Sequence, residues 1–263
     1  MASAESPRRD PALILDLFWG TTPPPRRGPR GGLTVARVVA AAVEIADAEG
    51  LEAVSMRRVA EALGVTTMSL YRYVPGKDEL CELMLDHAAV PPGTDDWPVA
   101  WRPRLERYAH ELHGTYLAHS WMLDVPVSGP PIGPNSLGWM EVALETLDRT
   151  GLGEADIFRA LTVLTGYIRY DAGIVHALTR AEPRTGVAPE EWGHVYGQML
   201  GRVIDDGRFP TLARIAGSDV FAQQASVEED FAWGLEFILD GVAAMVAERG
   251  AVGRDRATPG EEA

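Results

Sequence analysis

Residues 55–80, SMRRVAEALGVTTMSLYRYVPGKDEL, constrain this chain more than any other stretch. Two short runs with helical periodicity flank Gly64, and Pro75 with Gly76 ends the second. Glycine takes the positive φ of a tight turn without a Cβ penalty, and Pro-Gly breaks a helix. Two helices crossing at such a turn need a small residue at the crossing and apolar anchors behind the second. Ala60 supplies the first, and Val65 with Leu70 the others. The pattern is that of a helix-turn-helix, whose second helix enters the major groove of duplex DNA. Thr67, Met68, Ser69, Arg72 and Tyr73 are the residues of that helix able to reach it. Arginine can make two hydrogen bonds to guanine, and an apolar side chain can touch a thymine methyl. Tyr71, Tyr73 and Ser55 offer hydroxyls to phosphates, Ser55 from the start of the preceding helix. Arg57 and Lys77 add positive charge on either flank.

A net charge of −14 argues against nucleic-acid binding by the whole surface. The charge is unevenly spread. Residues 26–77 hold eight basic and five acidic residues, a balance of +3. From residue 78 onward there are 14 basic and 30 acidic residues, a balance of −16. Phosphate attraction can therefore be local to the front of the chain. Lys77 is the only lysine. No apolar run approaches the ~18–20 residues that span a bilayer, and the N-terminus lacks a secretory pattern. A cytoplasmic protein without a membrane partner is expected. One cysteine, Cys81, allows no intrachain disulfide and reads as a small core residue.

Residues 1–32 read as a flexible basic arm, because three consecutive prolines and the run RRGPRGG resist helix formation. Arg26, Arg27 and Arg30 suit either a minor-groove arm or a solubilising tail. The preceding ALILDLFW can form a short helix packing on a neighbour. From Leu33 helical periodicity begins, with Thr34 as N-cap, Val38, Val39, Ala42, Val43, Ile45 and Ala46 as an apolar stripe, and Gly50 as the stop. Ser55 caps the next helix, with Val59, Ala60 and Leu63 inward. Thr66 or Thr67 caps the third, which runs to about Tyr73. A fourth spans 77–89, with Leu80, Leu83, Met84 and His87 on or near one face. The proline- and aspartate-rich linker 91–98 marks a domain boundary. Further helices are expected at 102–120, 137–150, 154–180, 189–206 and 227–249. Loops are expected at VPVSGPPIGPNS and 183–189, and a disordered tail at 251–263. Strand-like alternation is absent, so the fold class is all-α. A three-helix reading head occupies 33–90, and a larger helical domain 98–250.

The string LTVARVVAAAVEIADAEGLEAVSMRRVAEALGVTTMSLYRYVPGKDELCELMLD resembles the tetracycline-repressor (TetR) family of bacterial transcription regulators. The resemblance implies that Ser55, Arg57, Thr67, Met68, Ser69, Tyr71, Arg72, Tyr73 and Lys77 face double-stranded operator DNA. Tyr71 and Lys77 stand at the family's phosphate-binding positions, and Met68, Ser69 and Arg72 at variable, specificity-setting ones. The segment DFAWGLEFILDGVAAMV is similar to the last helix of the branch nearest the tetracycline repressor itself. That implies a homodimer through 154–180 and 227–249, with Phe231, Leu235, Ile238, Leu239, Val242 and Met245 as the seam. Such a dimer reads a palindromic site. Repression, with release by a small molecule and coupling through the helix at 77–89, is what the family implies.

The larger domain is rich in aromatics and methionines, the usual lining of a small-molecule site. Trp101, Tyr108, Tyr116, Trp121, Met122, Trp139, Met140, Tyr167, Tyr170, Trp192, Tyr196 and Met199 are the candidates. His113, Arg169, Asp171 and His176 are able to orient a ligand. His110 and His113 share a helix face, with His119 further on, but no clear metal-ligand set emerges. No metal or cofactor is expected. Nor are there signatures of a nucleophile elbow, zinc protease, P-loop or dinucleotide fold, so an enzyme is not expected. The competing readings are a helical enzyme, or a small-molecule-binding protein whose helix-turn-helix does not touch DNA.

Overall fold

A computed structural model describes residues 11–20, 32–127, 129–204, 207–221 and 226–257. Among these every regular element is helical. The described residues cluster into two compact units. One holds those up to Pro98 together with Gly114–Thr146, and the other holds Val99–His113 and those from Leu147 onward. The linker at 91–98 thus coincides with one division, but the head's unit also takes in part of what the sequence assigned to the second domain.

In the first unit, α2 (Val35–Glu49) starts where Thr34 Oγ1 accepts the Arg37 N–H at 3.2 Å and stops at Gly50, with φ 84°. Its expected stripe is buried throughout: Val38, Val39, Ala42, Val43, Ile45 and Ala46. A single 3₁₀ turn at Leu51–Ala53 leads to α3 (Met56–Leu63), capped by Ser55. The third helix, α4 (Thr67–Leu70), is shorter than expected and closes as a turn at Tyr71–Tyr73. Pro75 disfavours the α conformation at Val74, which pulls the helix end back. Then α5 (Lys77–Ala88) packs against α2 with Leu80, Leu83 and Met84 buried.

His87 departs from the expected inward face: it is exposed, and the buried polar residue is Asp86. Asp86 carries the junction with α7 (Pro134–Asp148). Its carboxylate accepts the backbone N–H of Ser136 at 2.8 Å and of Asn135 at 3.3 Å, and its carbonyl accepts Asn135 Nδ2 at 2.9 Å. The first N–H groups of a helix lack internal partners, so Asp86 caps α7 from another element. A Cβ at Gly133 would collide with that carboxylate. Residues 135 and 136, expected in a loop, are therefore the first turn of α7. Helix α1 (Pro11–Trp19) is the short helix that ALILDLFW allowed, within a stretch otherwise read as a flexible arm. It packs on α5, buries Ile14, and Trp19 Nε1 donates to the Ile132 carbonyl at 3.0 Å. The arginines Arg26, Arg27 and Arg30 lie outside the described residues.

Helix α6 (Trp101–Ala118) spans the division between the units and is followed by a 3₁₀ turn at Ser120–Leu123. In the second unit α8 (Glu154–Thr185) runs antiparallel to α11 (Val227–Ala257), because Tyr167 meets Phe231 while Asp156 meets Arg249. Tyr167 stacks on Phe231 at 5.6 Å between centroids, and its hydroxyl donates to the Phe231 carbonyl at 2.9 Å. Burial first, then the carboxylates of Asp171 and Asp230, push its phenol up to about 12, which keeps it a donor. Gly234 leaves the space that the Tyr167 ring occupies. Ser226 and Glu229 cap α11 reciprocally, Ser226 N to Glu229 Oε2 at 2.7 Å and Glu229 N to Ser226 Oγ at 3.2 Å.

Both long helices outrun the sequence expectation. The loop expected at 183–189 begins only after Thr185, since Pro183 sits in the last turn and Gly186, at φ 68°, ends the helix. The tail expected from 251 is helical to Ala257, and 258–263 lie outside the described residues. The helix expected at 189–206 opens as a 3₁₀ turn at Pro189–Glu191, continues as α9 (Trp192–Val203) and stops there. A further short helix, α10 (Pro210–Ala216), follows, with a 3₁₀ turn at Asp219–Phe221.

Candidate nucleic-acid interface

The turn between α3 and α4 is set by Gly64 at φ 66°, ψ 31°. The Val65 N–H reaches back to the Ala60 carbonyl at 3.0 Å and the Gly64 N–H to Glu61 at 3.2 Å. This is a Schellman end, which needs a left-handed residue at that point. A Cβ on Gly64 would meet nothing, so alanine there costs only backbone strain. Gly64→Ala is expected to lose about 1–2 kcal/mol in denaturant unfolding, with Gly64→Asn losing less. An unchanged midpoint for the alanine variant would contradict this account of the turn.

Leu70 and Val74 are fully buried and hold α4 against the head. That leaves Met68 76% exposed, Tyr71 46% exposed, and Arg72 and Lys77 also in solvent. Neither Arg72 nor Lys77 has a partner among the described residues. Thr67 and Tyr73 are half-exposed. Ser69 is already engaged, its hydroxyl 2.9 Å from Thr66 Oγ1 and its N–H donating to the same oxygen at 3.3 Å. Ser55 Oγ accepts the Arg58 N–H at 3.1 Å as a cap, which leaves its hydroxyl proton free to donate. Arg57 is exposed but paired with Glu61 at 2.8 Å, and this pairing raises its pKa.

The head is braced from behind by a second carboxylate. Asp47 of α2 accepts Trp121 Nε1 at 2.6 Å and lies 2.8 Å from His119 Nδ1. Trp121, expected to line an effector site, is thus buried and tied to the head.

Comparison with known proteins places these features. The family described as "Bacterial regulatory proteins, tetR family" matches residues 38–84, and "Tetracyclin repressor-like, C-terminal domain" matches 93–246. This chain belongs to the TetR family. It is 42% identical over 242 residues to the HTH-type transcriptional repressor DrrR1 of Streptomyces coeruleorubidus, covering 91% of this chain and 88% of that one. Apo ActR of Streptomyces coelicolor superposes with a TM-score of 0.67 at 27% identity, over 82% of this chain and 98% of ActR. ActR in complex with actinorhodin gives 0.66 at 28%, over 81% and 96%.

In this TetR-family chain the expected effector residues divide between the units. Tyr116, Trp121, Met122, Trp139 and Met140 belong to the head's unit, with Trp121, Met122 and Trp139 buried. Trp101, Tyr108, His113, Tyr167, Tyr170, His176, Trp192, Tyr196 and Met199 belong to the other. There Tyr108 and His113 are buried, while Tyr170, Tyr196 and Met199 point to solvent. His113 Nε2 lies 2.8 Å from Asp171 and its ring stacks on Phe231 at 4.1 Å. Arg169 and His176 are partly exposed on α8. An open depression of about 330 Å³ on α8 is lined by Phe158, Arg159, Thr162 and Val163, none of them among the expected effector residues.

The residues expected as a dimer seam are largely covered by their own chain. Phe231, Leu235, Leu239 and Val242 are buried within the chain itself, and Ile238 and Met245 are half-buried. The exposed apolar residues of α11 are Trp233 and Phe237, stacked at 6.1 Å. On α8 they are Phe158, Val163, Tyr170 and Ile174. No helix among the described residues is long and apolar enough to cross a membrane.

Proposed function

We propose that this chain is a ligand-responsive transcriptional repressor that holds a palindromic operator as a homodimer and is released by a small hydrophobic or aromatic molecule. The observation that carries this is the capped helix-turn-helix whose exposed edge is Met68, Tyr71, Arg72 and Lys77. Ser55, Tyr71, Tyr73 and Lys77 grip phosphates, with Arg57 beside them. Thr67, Met68, Ser69 and Arg72 face base edges. A repressor at 42% identity over most of both chains supports the repressing role.

The dimer forms through α8 and α11, by the face that carries Trp233, Phe237, Tyr170 and Val163. Like ActR, which is known in complex with actinorhodin, this chain takes a small molecule in its helical body. Trp101, Tyr108, His113, Tyr167, His176 and Trp192 are the residues that line and orient it. The ligand acts by favouring a state in which the two heads no longer match successive grooves. Coupling passes through α5, which Asp86 fastens to α7.

Selection of duplexes from a random pool with the full-length protein tests the proposal, with one palindromic sequence expected to be enriched. Recovery of no common sequence would remove it. On the selected duplex, Arg72→Ala is expected to cost about 1–3 kcal/mol and to relax the preference at one position of each half-site. Lys77→Ala is expected to weaken all duplexes alike and to lower the salt slope by about 1 for each phosphate no longer neutralised. Fluorescence anisotropy across a salt series reads both. Release by actinorhodin and a panel of other aromatic compounds tests the effector class.

A further inference from the structure

The reading head has fewer free cations than its arginines suggest. Residues 33–90 hold five Arg and Lys residues against nine Asp and Glu. The head can attract phosphate only through where its cations stand. Both arginines of α3 are already paired. Arg58 Nη2 reaches Glu49 of α2 at 2.7 Å, which ties two helices together. Arg57 Nε reaches Glu61 at 2.8 Å, one turn along the same helix. The side chains of that second pair are 84% and 55% exposed, and among the described residues they join only each other.

Helix stability does not account for Glu61. In an eight-residue helix, Arg57 sits in the first turn and Glu61 in the last. The macrodipole favours the opposite placement. The order of the pair, with the cation N-terminal to the acid, is also the weaker one. An exposed pair of this kind is a marginal contributor to stability. What Glu61 does do is place a carboxylate beside the face on which Arg57 would meet the DNA backbone.

We propose that Glu61 is a brake on DNA binding: it cancels the charge of Arg57 and repels the phosphate backbone. This lowers the general affinity of the head for duplex. Retention on DNA then depends on Arg72, Met68 and the other groups that touch bases. A penalty shared by every site leaves the ratio of affinities unchanged; what it lowers is occupancy of duplex that offers no base contacts. The proposal rests on the reading that this face of α3 approaches DNA.

Glu61→Gln separates charge from geometry, since glutamine can still accept the Arg57 Nε–H. The full-length protein and its variants are titrated with a random-sequence duplex across a salt series. Glu61→Gln is expected to bind about fivefold more tightly at low salt, the scale of one water-exposed charge interaction. Its log–log salt slope should steepen by up to about 0.9, one more phosphate neutralised. In Arg57→Ala the same change should give a smaller gain. Equal or weaker binding by Glu61→Gln overturns the brake. If Arg72→Ala and Lys77→Ala also leave duplex binding unchanged, the failure lies in the interface assignment. If those two variants weaken binding while Glu61→Gln does not strengthen it, only the brake fails.

Discussion

Replacing Trp233 and Phe237 together by glutamate is expected to convert the protein from dimer to monomer and to abolish tight operator binding. Both rings are more than two-thirds exposed in the single chain, stacked on one another, and on the same face of α11. Rings of this size bury roughly 150–250 Å² each when covered. With Val163, Tyr170 and Ile174, which share one side of α8, they supply part of the ~800 Å² per partner that a stable interface needs. Two glutamates on each copy would place four like charges into that face. The fold itself should survive, because neither side chain is part of the chain's own core. A monomer engages only one half-site, so the loss in operator affinity is about 10²–10⁴-fold, the usual benefit of joining two modules. Sedimentation equilibrium and anisotropy titration read the two effects. A variant that stays dimeric would overturn the assignment of this face. Leu235→Ala is the contrasting case: Leu235 is 2% exposed within its own chain. It should cost about 2–5 kcal/mol of folding stability and leave assembly of the folded fraction intact.

The contrast shows why the sequence alone does not choose between the two apolar faces of α11. Helix α11 is apolar on two faces, one through Phe231, Leu235, Leu239 and Val242 and the other through Trp233 and Phe237. Periodicity identifies both stripes but does not say which one the chain covers for itself. The answer depends on α8, and in particular on Tyr167 finding the space left by Gly234. The reading head is more legible because its signals are local. Thr34, Ser55 and Thr66 each cap the helix that follows within three residues, and Gly64 has the left-handed turn expected of it. Exposure of Met68 and Tyr71 follows from the burial of Leu70 between them. The pairing of Ser69 with Thr66 and of Arg57 with Glu61 is absent from the sequence reading. Both pairs lie within four residues, so the i,i+3 and i,i+4 neighbour rule is enough to find them. Pro183 misleads in the other direction. A proline in the last turn removes one hydrogen bond and need not end the helix before it.

Asp86 is the least legible feature of the head's unit, a buried carboxylate whose partners lie on a distant segment. It falls among the other acidic residues of α5, and its partners Asn135 and Ser136 are 49 and 50 residues away. Asp86→Ala is expected to destabilise the protein by about 3 kcal/mol. Hydrogen bonds to a charged acceptor contribute roughly 1.5–3 kcal/mol each, and α7 would lose its cap, which costs about 0.5–2 kcal/mol. Some of this overlaps, so the total is less than the parts. Asp86→Asn should cost about half as much, since one oxygen remains to accept while the amide faces the second N–H. Gly133→Ala tests the same contact from the other side, because its Cβ would collide with the Asp86 carboxylate. The two changes should not add. Once Asp86 is alanine the carboxylate is gone and only the Cβ, 2.9 Å away, is left to meet, so Gly133→Ala becomes less costly. A double-mutant cycle in denaturant unfolding should therefore show a coupling of about 1 kcal/mol or more, as residues in contact give. Simple additivity would mean that the carboxylate is not the group that fits α7 to α5. With Asp86→Asn still folded, the same junction can be examined for coupling: if α5 carries the effector signal, this variant should bind operator but release it less completely.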